Sequence, residues 1–193
     1  MSVALVDLGY GNIGSIEIAL RRLGAEVLRT ADPAAIRAAE HVILPGVGAA
    51  GYAMGRIDTL DLRNALISLD KPLLGICLGM QLLFEASEED GASCLGLIPG
   101  RVRRLDPAPG RPVPHMGWSR LETRGPDMGL ARGEFVYFAH SFACDDGPHS
   151  LAVADYGRPI PAVVRKGNVL GAQFHPERSS AAGARFLKAF LAS

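Results

Sequence analysis

The stretch Leu73-Leu74-Gly75-Ile76-Cys77-Leu78-Gly79-Met80-Gln81 decides the predicted fold of this chain. A short apolar strand reaches Cys77, a glycine stands two residues away on each side, and a helix-forming sequence follows at once. This pattern is typical of a nucleophile elbow, a tight strand-to-helix turn that holds a reactive atom clear of the backbone. The start of a helix favours a thiolate over a thiol, so the sulfur of Cys77 is a candidate nucleophile. A buried structural cysteine at the end of a parallel strand fits the same local pattern.

The first half of the chain alternates strand and helix patterns around this stretch. The predicted strands are residues 3–8, 25–28, 41–44 and the run that ends at Cys77. The predicted helices carry apolar residues at helical spacing, which are Ile13, Ile16, Leu20 and Leu23 in one case and Leu60, Leu62 and Leu66 in the other. Near-continuous apolar strands separated by helices indicate a parallel sheet with both faces covered. We therefore expect an α/β three-layer sandwich with a doubly wound, mostly parallel, flavodoxin-like sheet, whose ligands lie beyond the carboxyl ends of the strands.

The second half of the chain is richer in strand patterns. Extended segments are predicted at residues 134–141, 151–155, 161–165 and 169–174, and a closing helix is predicted from Ser180. The loop at residues 106–112 is too short to separate two domains. We therefore expect residues 1–193 to form a single domain.

Composition narrows the class of protein. The chain has 193 residues, of which 48% are hydrophobic, and its Lys+Arg count of 20 equals its Asp+Glu count of 20. The balanced charge argues against binding to nucleic acid or to an anionic membrane. Its 3 cysteines are an odd number without zinc-type spacing, which argues against a disulfide or metal scaffold. We expect no metal, no cofactor and a cytoplasmic location, because neither a signal peptide nor a membrane-spanning run is apparent.

A competing motif lies near the start of the chain. Gly9-Tyr10-Gly11-Asn12-Ile13-Gly14 matches the glycine fingerprint of dinucleotide-binding domains, and Asp32 lies near the acidic position of that fingerprint. Two features count against this alternative: Asp7 puts a charge in the preceding strand, and the chain leaves little room for a separate substrate domain. An ordinary glycine-rich turn explains the motif equally well.

A cysteine nucleophile needs a base and a group that orients the base, and the segment Gln173-Phe174-His175-Pro176-Glu177 offers both. Residues two apart in an extended chain project to the same side, so His175 and Glu177 can face one another. A proline turn with a surface ion pair is the alternative for this segment alone. The other histidines are weaker candidates for the base, because none has a carboxylate two residues further on. They are His41, His115, His140 and His149.

The tetrahedral intermediate of such a reaction needs hydrogen-bond donors for its oxyanion. Pro45-Gly46-Val47-Gly48 follows a predicted strand and can expose backbone N–H groups at the same edge of the sheet. The amide that follows the nucleophile, which belongs to Leu78, is the second natural donor. An ordinary glycine-rich loop is the alternative.

The sequence resembles the class I glutamine amidotransferases in the motifs GICLGMQ around Cys77 and QFHPE at residues 173–177. It is most similar to the glutaminase subunits of imidazole glycerol phosphate synthase. The supporting motifs extend over most of the chain and are YGN at residues 10–12, PGVG at 45–48, LIPGRV at 97–102, PHMGW at 114–118 and YFAHSF at 137–142. Ser119 and Phe142 depart from this pattern, since the family has Asn and Tyr at these positions.

The resemblance implies a catalytic triad and an oxyanion hole. Cys77 is the expected nucleophile, His175 the general base and acid, and Glu177 the carboxylate that orients His175. The expected oxyanion donors are the amides of Val47 and Leu78, and the Val47 amide becomes available only after the Gly46 peptide flips.

The resemblance also implies a substrate and a partner. Glutamine is the expected substrate, held by residues that include Gly48, Gln81, Glu89, Ser141 and Phe142. The expected partner is a (β/α)8-barrel cyclase subunit that forms a heterodimer with this chain in histidine biosynthesis, receives ammonia, and makes imidazole glycerol phosphate and AICAR. The residues expected to dock this partner are Asn12, Met116 and Trp118, although a lone tryptophan such as Trp118 is more often a core residue.

Overall fold

The computed structural model of this chain describes residues 1–11 and 13–193. Asn12 lies outside the described residues, so its expected role in docking stays a prediction. The strands are β1 (Ser2–Val6), β2 (Glu26–Thr30), β3 (His41–Gly46), β4 (Leu73–Cys77), β5 (Ala86–Ser87), β6 (Arg101–Arg104), β7 (His115–Thr123), β8 (Phe135–His140), β9 (Phe142–Cys144), β10 (Ser150–Asp155), β11 (Pro159–Lys166) and β12 (Val169–Ala172). The helices are α1 (Gly14–Arg22), α2 (Pro33–Ala38), α3 (Ala50–Thr59), α4 (Arg63–Ile67), α5 (Leu78–Gln81) and α6 (Ser180–Leu191), with 3₁₀ turns at Glu89–Gly91 and Pro176–Arg178.

Within the described residues, nine of these strands form one sheet in the order β2-β1-β3-β4-β12-β11-β10-β7-β8. Neighbouring strands from β2 to β12 in this order are parallel, and those from β12 to β8 are antiparallel. The chain steps from β1 to β2 on one side and to β3 and β4 on the other, which is the doubly wound arrangement. The predicted α/β fold with a doubly wound parallel sheet is confirmed, and antiparallel strands extend that sheet beyond β12.

Two hydrophobic cores lie on opposite faces of the sheet. Leu5 of β1 packs in one core with residues of α1 and α6, and the next residue, Val6, packs in the other with residues of α2, α3 and α4. This alternation follows from the two-residue period of a strand. The helices therefore sandwich the sheet and leave the carboxyl ends of β3, β4 and β12 open at one edge, where Gly46 pairs with Cys77 and Ala172 pairs with Ile76.

The strand β7 was not predicted from the sequence. Its exposed residues alternate with less exposed ones, but the less exposed positions include His115, which is buried, and Ser119, which is half-buried, and neither residue is apolar. Period-two hydrophobicity is the signal for a half-buried strand, so polar residues on the buried face conceal it. Hydrogen bonds to neighbouring side chains accommodate both residues, as described below.

The predicted helix through Leu60, Leu62 and Leu66 is two helices in the structure, α3 and α4. The break occurs at Asp61, whose φ of 53° lies in the left-handed region, and the amide of Leu62 turns back to the carbonyl of Ile57 at 2.9 Å. A positive φ ends a right-handed helix. The leucine pattern survives because Leu62 and Leu66 are both buried in the same core.

A second sheet, in the order β5-β6-β9, lies beside the open edge of the main sheet. It carries Phe142 at the start of β9, and β5 leads into the turn that contains Glu89. In the part of the chain described, no helix has the length and apolar character needed to cross a membrane.

Candidate active site

The backbone at Cys77 forms the predicted elbow. Cys77 ends β4 with φ of 54° and ψ of −112°, a conformation that L-residues with side chains rarely adopt. The two flanking glycines allow neighbouring chain segments to approach closely. A Cβ atom on Gly79 would lie 1.9 Å from the carbonyl oxygen of Leu44 in β3, and one on Gly75 would lie 2.5 Å from the carbonyl oxygen of Gly79. The local pattern therefore arises from packing that no larger residue permits.

The helix that follows the elbow is shorter than the sequence suggests. α5 contains only Leu78–Gln81, because the carbonyls beyond it bond to a distant segment instead of continuing the helix. The carbonyls of Leu82 and Leu83 accept from the amides of Leu95 and Ile98, each at 2.9 Å. A single turn has a weaker dipole than a long helix, so more of the thiolate's stabilisation must come from neighbouring side chains.

His175 lies next to Cys77 because β12 is the parallel neighbour of β4. Its ring hydrogen-bonds to Glu177, with 2.9 Å between Nδ1 and Oε1, and it lines the same cavity as Cys77, whose sulfur is close enough to raise the pKa of the ring. The side chains of His175 and Glu177 are only 13% and 4% exposed, which excludes the alternative of a surface ion pair. The structure therefore brings sulfur, imidazole and carboxylate into one row.

His175 and Glu177 face each other across a turn and not, as expected, along an extended strand. The strand ends at Ala172 and not at Phe174, and Glu177 lies in a 3₁₀ turn that begins at Pro176. Proline has a fixed φ near the helical value and suits the first position of such a turn. The hydroxyl of Ser179 donates to the carbonyl of His175 at 2.7 Å and holds the turn in place.

The electrostatics of the row favour an imidazolium. Burial, the largest single influence, lowers the pKa of His175, but hydrogen bonds and charge from Cys77 and Glu177 together raise the pKa to about 10. A protonated ring donates from both nitrogens, so Nδ1–H points to Glu177 and leaves Nε2–H for the sulfur. An imidazolium beside a sulfur is the environment that favours a nucleophilic thiolate.

A cavity of about 390 Å³ opens in front of Cys77 and His175. This volume suits a small metabolite. Many of the residues that line this cavity were predicted to form the oxyanion hole, bind substrate or dock the partner. They are Val47, Gly48, Leu78, Gln81, Glu89, Met116, Ser141 and Phe142. The structure therefore collects, at one site, residues that are far apart in sequence.

Two of the residues predicted to bind substrate, Gln81 and Glu89, also form hydrogen bonds within the protein. The Nε2 atom of Gln81 donates to the carbonyl of Phe142 at 2.7 Å and to Oε1 of Gln173 at 3.0 Å, which uses both of its hydrogens. The Oε2 atom of Glu89 accepts from the amide of Ala50 at 2.8 Å, at the start of α3. Burial raises the pKa of Glu89, and the bond from Ala50 opposes that shift. For an incoming ligand, Gln81 and Glu89 therefore each retain one oxygen.

A smaller cavity of about 20 Å³ lies behind the triad and is lined by Tyr10, Gly46, Val47, His175 and Glu177, among others. The buried Oε2 atom of Glu177 and the buried hydroxyl of Tyr10 find no hydrogen-bond partner among the described residues. The cavity is about the size of one water molecule, which has the donors and acceptors to join such atoms.

The glycine-rich turn near the start packs onto the active-site loop. Asp7 accepts from Arg29 at 2.7 Å and from the amide of Gly9 at 2.8 Å, which stabilises the turn from within. A Cβ atom on Gly11 would lie 2.4 Å from a methyl group of Val47, so the turn and the loop touch. This close contact gives the glycines a role that needs no dinucleotide.

The predicted docking residues Met116 and Trp118 lie on the exposed face of β7, where they are 67% and 49% exposed. The alternative that Trp118 is a core residue is therefore wrong. Its ring instead meets the edge of the Tyr137 ring on β8, with 6.1 Å between centroids.

Gln173 and Arg178 are two further residues of the site whose roles were not predicted from the sequence. Gln173 is fully buried, and its Nε2 atom lies 3.9 Å from the sulfur of Cys77. Its position two residues before His175 was a usable signal, because such residues share a face in an extended segment. The guanidinium carbon of Arg178 lies 4.7 Å from the centroid of the Tyr137 ring, and Arg178 lines the larger cavity. No spacing pattern in the sequence predicted this position of Arg178. Among residues 1–11 and 13–193, no cluster of His, Cys, Asp and Glu side chains could hold a metal ion.

Comparison of the sequence with known proteins gives consistent results. The family described as Glutamine amidotransferase class-I matches residues 4–193. The chain is 50% identical over 192 residues to the Imidazole glycerol phosphate synthase subunit HisH of Xylella fastidiosa (strain Temecula1), covering 98% of this chain and 96% of that protein. It is 49% identical, with the same coverage of 98% and 96%, to the protein of the same name from Xanthomonas euvesicatoria pv. vesicatoria.

Solved structures share the fold. One described as a glutamine amidotransferase has a TM-score of 0.77 at 24% identity, covering 98% of this chain and 97% of that chain. A glutamine amidotransferase from Thermotoga maritima has a TM-score of 0.64 at 16% identity, with coverage of 100% and 83%. At these sequence identities the solved structures support the fold alone, whereas the sequence matches over nearly the whole chain show the family. The chain is therefore a glutamine amidotransferase enzyme that belongs to the class-I family and, within it, to the HisH group of its relatives.

Proposed function

We propose that this enzyme hydrolyses glutamine to glutamate and ammonia with Cys77, His175 and Glu177 as its catalytic triad. The observation that carries the proposal is the buried hydrogen bond between His175 and Glu177, in a row with the sulfur of Cys77 at the edge of a cavity of about 390 Å³. A row of this kind supplies the nucleophile, the proton carrier and the group that orients the proton carrier.

The reaction begins with attack of the Cys77 thiolate on the carboxamide carbon of glutamine, which pushes the electrons of the C=O bond onto oxygen. The amides of Leu78 and Val47 stabilise this oxyanion, the latter after the Gly46 peptide turns toward the cavity. One such donor typically contributes ~10²–10³ in rate. The Nε2–H of His175 then gives its proton to the departing nitrogen, so that ammonia leaves and a γ-glutamyl thioester remains.

The second half of the reaction returns the enzyme to its starting state. Nε2 of His175, now neutral, takes a proton from water as the water oxygen attacks the thioester. Glutamate departs, and the thiolate and the imidazolium are restored together. Glu177 keeps Nδ1 protonated throughout, and this orientation is what lets Nε2 serve both as acid and as base.

We propose that the cavity binds the α-amino and α-carboxylate groups of glutamine at the end away from Cys77. The free oxygens of Gln81 and Glu89 suit the ammonium group, and backbone N–H groups of Ser141 and Phe142 suit the carboxylate. Gly48 leaves room on the same wall, since it has no side chain.

The product ammonia passes to a partner subunit under this proposal. The relatives are named as subunits of imidazole glycerol phosphate synthase, which implies a second subunit. We infer that the second subunit is a (β/α)8-barrel cyclase that docks as a heterodimer on Met116, Trp118 and Asn12, and uses the ammonia to make imidazole glycerol phosphate and AICAR. Both Met116 and Trp118 are exposed, and Met116 lines the cavity, which supports this docking site.

The test compares glutamine with ammonia as nitrogen source for the assembled enzyme. Cys77→Ala should abolish glutamine-dependent synthesis, because no thioester can form, while added ammonium salt still supports the cyclase. Cys94→Ala is a matched control, since Cys94 is also buried but has a pKa raised to about 11 by burial, which keeps it a thiol. Glutamine hydrolysis that persists in Cys77→Ala would contradict the proposal.

A further inference from the structure

A chain of hydrogen bonds between polar side chains connects β7 to the wall of the active-site cavity. The hydroxyl of Ser119 lies 2.8 Å from Nε2 of His115, and Nδ1 of His115 lies 3.1 Å from Nε2 of His140. Nδ1 of His140 then lies 2.8 Å from the carbonyl oxygen of Phe142. We call Ser119, His115 and His140 the relay.

The positions of the protons in the relay follow from its last bond. A carbonyl only accepts, so Nδ1 of His140 carries the hydrogen and Nε2 accepts. His115 must therefore donate from Nδ1, and its own Nε2 accepts from the hydroxyl of Ser119. Both rings are neutral, because burial lowers the pKa of His140 to about 3 and the pKa of His115 to about 4. One arrangement of protons satisfies every bond.

The relay ends on an atom that belongs to the site. The carbonyl of Phe142 also accepts from Gln81 at 2.7 Å, and Gln81 in turn bonds to Gln173. Ser141, Phe142 and Gln81 all line the cavity in front of Cys77. The Phe142 carbonyl is thus held from two sides, by His140 and by Gln81, and its direction fixes the orientation of the adjoining peptide groups.

Another histidine of the chain shows that burial alone does not require such bonds. His41 is 6% exposed, yet neither of its ring nitrogens has a hydrogen-bond partner within the described part of the chain, and its ring packs against Phe190. His41 therefore serves packing. His115 and His140 instead use all four ring nitrogens in a single directed series.

We propose that Ser119, His115 and His140 are positioning residues, whose relay holds the Phe142 carbonyl so that Ser141, Phe142 and Gln81 present the geometry that binds glutamine. The proposal deepens the proposed function and rests on it, because it takes glutamine as the ligand. It assigns a purpose to Ser119, where the family pattern has Asn: a hydroxyl and an amide N–H can each donate to His115.

The first experiment measures steady-state glutamine hydrolysis by the assembled enzyme. Ser119→Ala removes the donor to His115 and should raise KM for glutamine about five-fold, the effect of one neutral hydrogen bond. The value of kcat should stay within about two-fold, because the triad is untouched. Ser119→Thr keeps the hydroxyl and should restore KM. His115→Phe should raise KM at least as much as Ser119→Ala, while the matched control His41→Phe should leave KM unchanged.

The second experiment tests the relay without glutamine. Side-chain ¹⁵N NMR of the full chain should show both His115 and His140 as the Nδ1–H tautomer in the wild type. In Ser119→Ala the Nε2 resonance of His115 should shift because its donor is lost, while the tautomer persists because the bond to His140 remains. A wild type that fails to hydrolyse glutamine would end the proposed function. Wild-type hydrolysis, with KM unchanged in both Ser119→Ala and His115→Phe, would overturn the relay alone. An Nε2–H tautomer at His140 would overturn it as well.

Discussion

At the residue scale, the chemistry depends on how one imidazole is surrounded. His175 is buried, and burial by itself lowers its pKa, yet Cys77 and Glu177 reverse that effect and raise the pKa to about 10. His115 and His140 are also buried but have no carboxylate beside them, and the pKa of each is lowered. A histidine side chain therefore serves as a charged proton carrier at His175 and as a neutral hydrogen-bonding group at His115 and His140.

Glu177→Gln tests this balance directly. The substitution keeps an oxygen near Nδ1 but removes the negative charge, so the pKa of His175 should fall by about 1–3, as expected for loss of an adjacent opposite charge. An NMR titration of the His175 ring measures this pKa. Asp58→Asn is a matched control, because it removes a carboxylate that pairs with Arg63. A His175 pKa that is the same in Glu177→Gln and wild type would contradict the electrostatic account.

The same pKa predicts how stability depends on pH. A folded-state pKa of about 10, above the ordinary value of 6.5, means that the folded protein holds a proton that the unfolded chain releases earlier. The contribution of His175 to stability is therefore full below about 6.5 and is lost as the pH rises through about 10. Urea unfolding should show a smaller stability difference between wild type and Glu177→Gln at pH 10.5 than at pH 6, and a larger one would refute this sign.

At the element scale, the elbow depends on the contact between β3 and the turn after β4. The glycines at 75 and 79 were visible in the sequence as a pattern, and the structure supplies the reason: a Cβ atom at either position would meet backbone. The length of α5 was not visible, because it is set by amides of Leu95 and Ile98, which lie outside any local window. Local patterns thus predicted the elbow, while long-range hydrogen bonds limited its helix.

Gly79→Ala should disrupt the elbow. Its new Cβ would lie 1.9 Å from the carbonyl oxygen of Leu44, so α5 and β3 must separate, at a cost of about 1–3 kcal/mol in unfolding free energy. Gly55→Ala in α3 is the matched control, since nothing lies within 4 Å of its new Cβ, and it should instead stabilise the protein by about 0.4–1 kcal/mol. Denaturant unfolding measures both values. Equal stability of the two variants would show that the close contact at Gly79 is not needed.

At the scale of the whole molecule, the parallel half of the sheet was readable from the sequence and the antiparallel half was less so. The buried parallel strands are continuous apolar runs, as in Leu73–Cys77, and such runs have a clear signal. The strand β7 has polar residues on its inner face because they form the relay, so its hydrophobic period is broken. β7, which the strand patterns missed, is thus a strand that joins the exposed face to the cavity. The docking and substrate-binding residues expected in this region come from the resemblance to known motifs and not from periodicity.

The exposed face of β7 lies near one edge of the sheet. Trp118 and Tyr137 are paired across β7 and β8, and Trp118 is 49% exposed, so its ring is available to a partner. Aromatic residues often dominate the binding energy of an interface, so Trp118→Ala should weaken cyclase binding by about 2 kcal/mol, or roughly 30-fold. Leu28→Ala is a matched control, because Leu28 is 55% exposed on β2, at the opposite edge of the sheet. Calorimetric titration with the cyclase measures both affinities, and circular dichroism checks that both variants are folded. If Leu28→Ala weakens binding as much as Trp118→Ala does, the cyclase does not dock on the face of β7.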